Sequence, residues 1–397
     1  MDQTKAGELG ADSTMLVSHR RRIRLKHQAI QALIVAVAVV AVALFGIAIK
    51  DGLARHGIKF SFSFLWNAAG FDISEGKTLV FENSYWPRVT DFTADRSIAQ
   101  AFATGIFNTI KIAILAIVLS TVLGTLLGVG RLSTNWVVRN LCFWTVEFVR
   151  NTPLLIQLVF WYFAVVLHFP PIAAAVKFYG VVVSQQGLYL PWLTWQGGDS
   201  TFSFLLAIAL VATVMGTAFR KIRRISAAAA LVLLVLLFWT GTLAPDFPVT
   251  SKFRATGGTS ISPEMAALLL AIVVNSASYI AEIVRGAIDA LPKGQWEAAA
   301  SLGLNRRNTI NDIILPQVLR IVLPSFGNQY ISLTKNTALG IAIGYPELFN
   351  IYGTIANQTG HSLDGIIIVM VSYLILSWII SALVSWADTR LAKGAAR

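Results

Sequence analysis

The chain has 397 residues, of which 55% are hydrophobic and only 13% are charged. Soluble globular proteins are about 45–50% apolar and about 25% charged. This composition excludes a disordered chain and argues against a soluble multi-domain enzyme. The single cysteine, Cys142, excludes an intramolecular disulfide and a cysteine metal cluster. The sequence therefore predicts a polytopic membrane protein.

Long apolar runs predict the membrane spans, because a hydrocarbon core of about 30 Å needs roughly 20 apolar residues in a helix. The runs do not alternate, which favours helices over a barrel. The first run, 30–49, follows a basic tail and is interpreted as an uncleaved anchor. The other seven predicted spans are 101–129, 141–169, 201–219, 225–244, 264–283, 319–343 and 365–386. The predicted fold class is therefore all-α, with about eight transmembrane helices.

The distribution of basic residues predicts the orientation. With the N-terminus in the cytoplasm, the inside segments hold 20 of the 32 Lys and Arg, and the longer outside segments hold nine. Both termini are then predicted to be cytoplasmic. The formal charge of +12 thus marks the inner face. It does not form the contiguous basic patch of a nucleic-acid-binding domain, so no nucleic-acid partner is predicted.

Catalytic motifs are not found. The stretch from Gly70 to Thr78 resembles a phosphate-binding loop but has five residues where that motif has four. It also falls on the predicted outer side, away from cytosolic nucleotide. We expect no catalytic residues, no metal and no cofactor on this chain, and ATP, if used, to be bound by another chain.

Two glycines in the second predicted span, Gly124 and Gly128, are four residues apart. This small-residue pattern is typical of helices whose backbones approach closely. The favoured interpretation is ordinary packing of the two helices without a functional role.

The predicted cytoplasmic segment 285–320 is too polar for lipid, yet it is patterned. Trp296, Ala299, Ala300 and Gly303 recur at spacings of three and four, which predicts one face of a short helix. Gly303 can end that helix, because glycine readily takes the left-handed conformation.

The second half of this segment predicts another short helix. Asn305 is well placed to cap it, and Pro316 predicts a break before the next span. Taken together, the segment fits either a helix that inserts into a partner's groove or an amphipathic connector that lies on lipid.

The spacing Glu297-Ala298-Ala299, Gly303, Ile313, Leu315-Pro316 matches E-A-A-x3-G-x9-I-x-L-P in full. This segment resembles the cytoplasmic loop of bacterial ATP-binding cassette (ABC) importer permeases. The stretches 148–157 (FVRNTPLLIQ), 281–288 (AEIVRGAI) and 332–339 (SLTKNTAL) are similar to the polar amino acid (histidine/glutamine-type) permeases, with Asn151 where glycine is usual.

The resemblance covers about 101–168 and 263–390, and the longer layout is similar to one permease of the general L-amino acid importers. It implies an ABC type I importer permease core with added spans. The predicted organisation is a cytoplasmic tail (1–27), an extra transmembrane helix (28–49), a periplasmic loop (50–100), the first core part (101–168), an insertion with two spans (169–262), the second core part (263–390) with its coupling loop (286–318), and a cytoplasmic tail (391–397).

The resemblance also implies the function and the partners. The chain would be the pore-forming permease of an importer that moves L-amino acids across the bacterial inner membrane. It would work with a dimer of cytoplasmic ATPase subunits, a second permease, here a sister chain, a periplasmic amino-acid-binding protein and membrane lipid. ATPase coupling is then expected at Glu297, Ala298, Ala299, Gly303 and Pro316.

Two acid–base pairs lie near the predicted inner ends of spans. Glu147 and Arg150, and likewise Glu282 and Arg285, are three residues apart and so share a helical face. Charges at membrane depth are costly and are usually paired or face water. They are interpreted either as structural pairs near a gate or as direct contacts to substrate.

Polar residues within the spans are further candidates for a substrate pathway, with helix-to-helix hydrogen bonds as the alternative. The sequence Asn151-Thr152-Pro153 favours a broken helix with carbonyls exposed to a cavity. The remaining candidates are Gln157, Asn275, Asn328, Gln329, Lys335 and Asn336.

A stand-alone secondary transporter of amino acids and a membrane scaffold without transport are the competing functions. A secondary transporter would more naturally show internal repeats, and none is evident. The sequence does not indicate which amino acids would be carried.

Overall fold

A computed structural model describes residues 26, 28–41, 43–48, 51–52, 61–80, 88–195, 209–211, 213, 215, 223–239 and 243–394. Contacts divide the chain into two units, Met1–Phe62 and Ser63–Arg397. The first unit contains helix α1, Gln28–Ala48, whose mean hydropathy of 2.8 agrees with the predicted first span.

The second unit is built on long helices, which carry most of the membrane-spanning length. Its main helices are α2 (Ile98–Gly130), α3 (Trp136–Asn151), α4 (Leu154–Val159), α5 (Arg223–Trp239), α6 (Pro263–Asp289), α7 (Lys293–Ser301), α8 (Arg306–Asn308), α9 (Leu315–Asn336), α10 (Leu348–Thr359) and α11 (Ser362–Gly394). Short 3-10 or π turns follow or separate several of them, including Phe160–Val165, Val166–His168, Thr309–Ile314 and Thr337–Ile343.

Among the described residues, four helices are long and apolar enough to cross a membrane, and a fifth crossing results if the bent pair α3–α4 counts as one. The predicted count of eight is not confirmed. Most of span 201–219 lies outside the described residues. The predicted span 225–244 extends too far, because its last two residues belong to strand β7, which begins at Leu243. The helix itself has 17 residues. Span 319–343 is helical, but its turns change to 3-10 at Thr337.

The all-α prediction is wrong for the segments between the spans, which contain short antiparallel strands. They are β1 (Lys77–Val80), β2 (Arg88–Asp91), β3 (Val176–Phe178), β4 (Val181–Ser184), β5 (Gly187–Leu190), β6 (Trp192–Trp195), β7 (Leu243–Asp246), β8 (Val249–Thr250), β9 (Ala255–Thr256) and β10 (Thr259–Ile261). The four-stranded sheet has the order β10-β5-β4-β3, and the other strands pair as β1-β2, β6-β7 and β8-β9. Strands of two to four residues are shorter than the apolar runs on which the span prediction relied.

Local capping fixes where the main helices begin. Ser97 and Gln100 form a reciprocal capping box at the start of α2. Ser262 accepts a hydrogen bond from the Met265 amide at the start of α6, with Pro263 as the first helical residue. These caps satisfy amides that a helix end would otherwise leave without partners.

The helix pair α2–α6 forms the centre of the packing, and Gly124 and Gly128 lie at its closest approach. A Cβ added at Gly124 would lie 2.7 Å from the Ala277 carbonyl oxygen, and one at Gly128 would lie 2.6 Å from that of Ala281. Real Cβ atoms do not approach so closely, so the predicted small-residue contact between backbones is confirmed.

Glu75, which precedes α2 in the chain, is joined to α2 and to the start of α6 by polar contacts. Lys111 Nζ lies 2.7 Å from Glu75 Oε1, and Ser262 Oγ donates to Glu75 Oε2 at 2.6 Å. Asn108 Nδ2 donates to the Glu75 carbonyl at 2.8 Å. The charge of Lys111, within the predicted second span, is neutralised by this acidic partner.

Candidate functional site

The chain bends sharply between α3 and α4, by 105°. Thr152 and Pro153 have extended backbone angles at the break. Proline lacks an amide hydrogen and disfavours the helical conformation of the residue before it. The predicted break at 151–153 is therefore confirmed.

Gln157 holds this bend. Its Nε2 donates to the Val149 carbonyl at 2.8 Å and to the Thr152 carbonyl at 2.9 Å, on the far side of the break. The residue is 8% exposed. Both of its amide hydrogens therefore bind carbonyls at the bend, whereas its buried Oε1 has no hydrogen-bond partner within the chain.

A polar cavity of about 500 Å³ opens at the break. It lies between the α3–α4 bend, α6 and α9. Its lining consists of Arg150, Asn151, Thr152, Pro153, Leu154, Asn275, Tyr279, Gln329, Ser332, Asn336 and Leu339. Three separate stretches of the sequence therefore converge on one space within the helix bundle.

The structure brings together only part of the predicted pathway. Arg150, Asn275, Gln329 and Asn336 line the cavity. The other candidates do not line it: Glu147, Gln157, Glu282, Asn328 and Lys335. Sequence reasoning missed Tyr279 and Ser332, which carry no distinctive spacing of their own.

Arg150 is the one cationic side chain among the residues that line this cavity. Its guanidinium lies 5.6 Å from the ring centroid of Tyr279, within cation–π range. Its Nη1 is 3.8 Å from Glu147 Oε1 and 3.7 Å from Glu282 Oε2, longer than hydrogen bonds. The arginine is therefore oriented by two acids without being fully engaged by either.

The two predicted acid–base pairs form one network, joined by Arg131. Arg131 Nη1 lies 2.7 Å from Glu282 Oε2, and its Nη2 lies 3.4 Å from Glu147 Oε1. Arg285 binds both Glu282 and Asp289. The side chain of Arg131 is 8% exposed, so the charges neutralise one another in a shielded position.

Sequence reasoning counted Arg131 only as an inside charge. It is the C-cap residue of α2, and its partners are on α3 and α6. The spacing along the chain paired each carboxylate with an arginine of its own helix, and it did not identify Arg131 as their shared partner.

The segment between α6 and α9 folds as a short helix, a turn and a second helix. Helix α7 ends in a turn where Gly303 has φ +70°. Asn305 accepts a hydrogen bond from the Asn308 amide and caps α8. Both predictions from the pattern are confirmed. No neighbouring atom lies within 4 Å of a Cβ built at Gly303, so its backbone conformation alone favours glycine there.

The face of α7 differs in part from expectation. Glu297 and Ala298 are exposed, whereas Ala299 is 0% exposed and packs within the chain. Gln317 Nε2 on α9 donates to Gln295 Oε1 on α7 at 3.2 Å. The short helix is therefore attached directly to a long helix that lines the cavity.

The predicted break before Pro316 is wrong. Leu315 has helical angles, φ −58° and ψ −44°, and α9 continues through Pro316. The turn before it, Thr309–Ile314, is a π-helix. A wider turn relieves the clash of the proline ring with the preceding carbonyls and accommodates its missing amide hydrogen.

Glu347 was also missed. It is 0% exposed and caps α10, accepting from the Asn350 amide at 2.7 Å and from Tyr373 Oη at 2.8 Å. Burial raises the pKa of this carboxyl to about 7. The group lies outside the membrane-spanning helices and outside the cavity lining.

Sequence comparison provides relatives along most of the chain. The General L-amino acid transport system permease protein AapQ of Rhizobium johnstonii is 36% identical over 354 residues, covering 86% of each chain. The Putative amino-acid ABC transporter permease protein YhdX of Escherichia coli is 36% identical over 357 residues, covering 86% of this chain and 87% of its own. These alignments are longer than the two predicted core parts together.

Structural comparison gives weaker similarity. The crystal structure of an amino acid ABC transporter with histidines has a TM-score of 0.46 and 20% identity, covering 74% of this chain and 94% of its own. This likeness is too distant to support any functional conclusion.

The family described as "Binding-protein-dependent transport system inner membrane component" matches residues 120–397. This match and the two relatives agree with the resemblance of the cytoplasmic loop. They support a transport permease over a stand-alone secondary transporter. The chain belongs to the family of binding-protein-dependent transport system inner membrane components.

Proposed function

We propose that the chain is the pore-forming permease subunit of an ABC importer that moves L-amino acids into the cytoplasm. A separate ATPase subunit drives it. The observation that carries this proposal is the cavity of about 500 Å³ between α3–α4, α6 and α9, with one arginine and several amide side chains in its wall. The substrate class is supported by the two relatives, which are named as a general L-amino acid permease and a putative amino-acid ABC permease.

The cavity offers complementary groups for a zwitterion. Arg150 binds the substrate carboxylate, for which its planar fork of donors is suited. Asn275, Gln329 and Asn336 provide neutral hydrogen bonds. Gln157 and Thr152 already bind the carbonyls of Phe148, Val149 and Thr152. The last two carbonyls of α3, those of Arg150 and Asn151, are therefore the acceptors proposed for the substrate ammonium.

The remaining predicted pathway residues act less directly. Glu147 and Glu282 position Arg150, at 3.8 and 3.7 Å from its Nη1. Gln157 fixes the bend. Asn328 and Lys335 also lie on α9, but they do not contact substrate in this cavity, since neither lines it.

Helix α7 is the coupling helix. Its exposed residues Glu297 and Ala298 contact the ATPase, while Ala299 holds α7 against the rest of the chain and Gly303 fixes the turn. Pro316 keeps α9 continuous with this loop, so that movement of α7 reaches the cavity wall.

The chain supplies an ABC type I importer core, with both termini in the cytoplasm of a bacterium. It pairs with a sister permease, binds an ATPase dimer, and receives substrate from a periplasmic amino-acid-binding protein. The segments 1–100 and 169–262 are additions to the core.

The test is reconstitution of the chain with its co-purified partners in proteoliposomes. We expect uptake of labelled amino acids that requires internal ATP and the binding protein. R150Q should lower uptake at least about tenfold through the lost charge-assisted contact, and R150K should retain part of it. Uptake by this chain alone, driven by an ion gradient, would refute the proposal.

A further inference from the structure

A second cavity, of about 330 Å³, lies at the turn between α2 and α3. It is separate from the polar cavity at the bend and shares no lining residue with it. Its lining consists of Arg131, Leu132, Arg139, Asn140, Phe143 and Arg285. Half of these residues are arginines, and none is acidic.

Arg139 leaves this cavity with uncompensated positive charge. Arg131 and Arg285 bind Glu282, and Arg285 also binds Asp289. Arg139, by contrast, makes one side-chain hydrogen bond within the described part of the chain, from Nη1 to the Ser133 carbonyl at 3.4 Å. In the part of the chain that the structure describes, no carboxylate lies within ion-pair distance of Arg139.

The cavity is rimmed by apolar groups and lies at the ends of membrane helices. Arg131 is the C-cap residue of the spanning helix α2. The guanidinium of Arg131 lies 5.1 Å from the ring centroid of Phe143, and Leu132 and Phe143 are both about one third exposed. At the start of α3, Trp136 is 67% exposed, as is typical of side chains at a membrane interface.

A basic floor beside an apolar rim matches an amphiphile with an anionic head. We propose that this cavity binds the phosphate group of an anionic phospholipid. Arg139 is its principal cation, and Arg131, Arg285 and Asn140 supply further donors. Phe143 and Leu132 contact the glycerol and the first methylenes, a contact that free inorganic phosphate cannot make. This site is independent of which substrate the cavity at the bend accepts.

The experiment measures lipid retention by the full-length chain, purified in detergent with the partners that co-purify. Native mass spectrometry counts bound phosphatidylglycerol and phosphatidylcholine after equal addition of each. We expect phosphatidylglycerol to be retained preferentially, and R139Q to reduce that retention about five- to tenfold through loss of one arginine–phosphate contact. R139K should retain most of it.

Arg320 provides a matched control, because it is an exposed arginine on α9 that does not line the cavity. R320Q should retain phosphatidylglycerol as the wild type does. Equal retention of both lipids, or wild-type retention by R139Q, would overturn the proposal. A third arm adds inorganic phosphate alone: displacement of the lipid at millimolar phosphate would identify a free-phosphate site and overturn the lipid assignment. An unchanged lipid count would support it.

Discussion

Gln317 on α9 donates a hydrogen bond to Gln295 on α7, with 3.2 Å between Nε2 and Oε1. The two residues are 22 positions apart, and the same Nε2 also binds the Ile313 carbonyl at 3.0 Å. This contact links the proposed coupling helix to a helix that lines the polar cavity. It gives a direct route by which displacement of α7 would move the cavity wall.

Removing this link should weaken coupling. We expect Q317L to lower the number of amino acids transported per ATP hydrolysed, while ATPase activity persists, because α7 can then move without pulling α9. One neutral hydrogen bond contributes about 0.5–1.5 kcal/mol, so the decrease should be severalfold. Uptake and ATPase rate, measured in the same proteoliposomes, give the ratio.

The double variant provides the control. If Q295A and Q317L act through the same contact, the combined variant should be no worse than the more severe single variant. Strictly additive losses would show that the two residues act separately.

Substitution of Gly303 is expected to disturb coupling because of the backbone conformation at this position. At φ +70°, a β-branched residue is strained, by about 1–2 kcal/mol, although space is open around it. We expect G303V to loosen the end of α7 and to uncouple ATP hydrolysis from uptake. G303N should retain coupling, since asparagine tolerates this conformation. G294A, at a glycine of α7 with open space around it and without a positive φ, serves as a second control. Normal coupling in G303V would remove the role proposed for this turn.

The contact between α2 and α6 leaves no room for a side chain at Gly128. An alanine there would place Cβ 2.6 Å from the Ala281 carbonyl oxygen, which belongs to backbone and cannot rotate away. We expect G128A to destabilise the chain by about 1–3 kcal/mol, the usual cost of overpacking. The unfolding midpoint of the detergent-purified protein measures it. At Gly286 on α6 a Cβ meets nothing within 4 Å. The unfolding midpoint of G286A should therefore equal or exceed that of the wild type. Equal midpoints for G128A and G286A would contradict the close approach.

How far the sequence could predict the structure depended on the range of each interaction. Local signals gave the helices α2, α6 and α11, the turn at Gly303 and the cap at Asn305. The π turn before Pro316 could not be predicted in this way. The steric conflict between a proline and the residue before it is known for ordinary α-helices, and here the wider turn has room for the proline ring. The short strands of 176–261 were missed because pairing between segments, and not their own length, stabilises them.

The candidate site shows the same distinction. Arg150 and Asn275 were proposed from residue type and depth, and both line the cavity. Arg131 and Tyr279 were missed, because their roles follow from the packing of α2, α3 and α6 against one another. Gln157 was proposed as a pathway residue. It does not line this cavity, and it bridges the bend by binding the Val149 carbonyl eight residues before it.

Glu347 predicts a pH dependence of stability. Burial raises the pKa of its carboxyl from 4.5 to about 7 in the folded chain. Folding therefore favours the protonated form. Its contribution is fully present below pH 4.5 and is lost as the pH rises through 7. The free energy of unfolding should decrease across this window by about 3 kcal/mol, at 1.36 kcal/mol for each pKa unit.

The variant E347Q tests this assignment, because glutamine keeps an acceptor for the Asn350 amide and has no proton to lose. The unfolding midpoint of the wild type should fall between pH 5 and pH 8, and the midpoint of E347Q should change much less. D312N removes an exposed carboxylate from the π-helical turn before α9, and its unfolding midpoint should fall with pH as that of the wild type does. If E347Q kept the full wild-type decrease, another group would be responsible. The decrease should not depend on added amino acid, since Glu347 does not line the cavity at the bend.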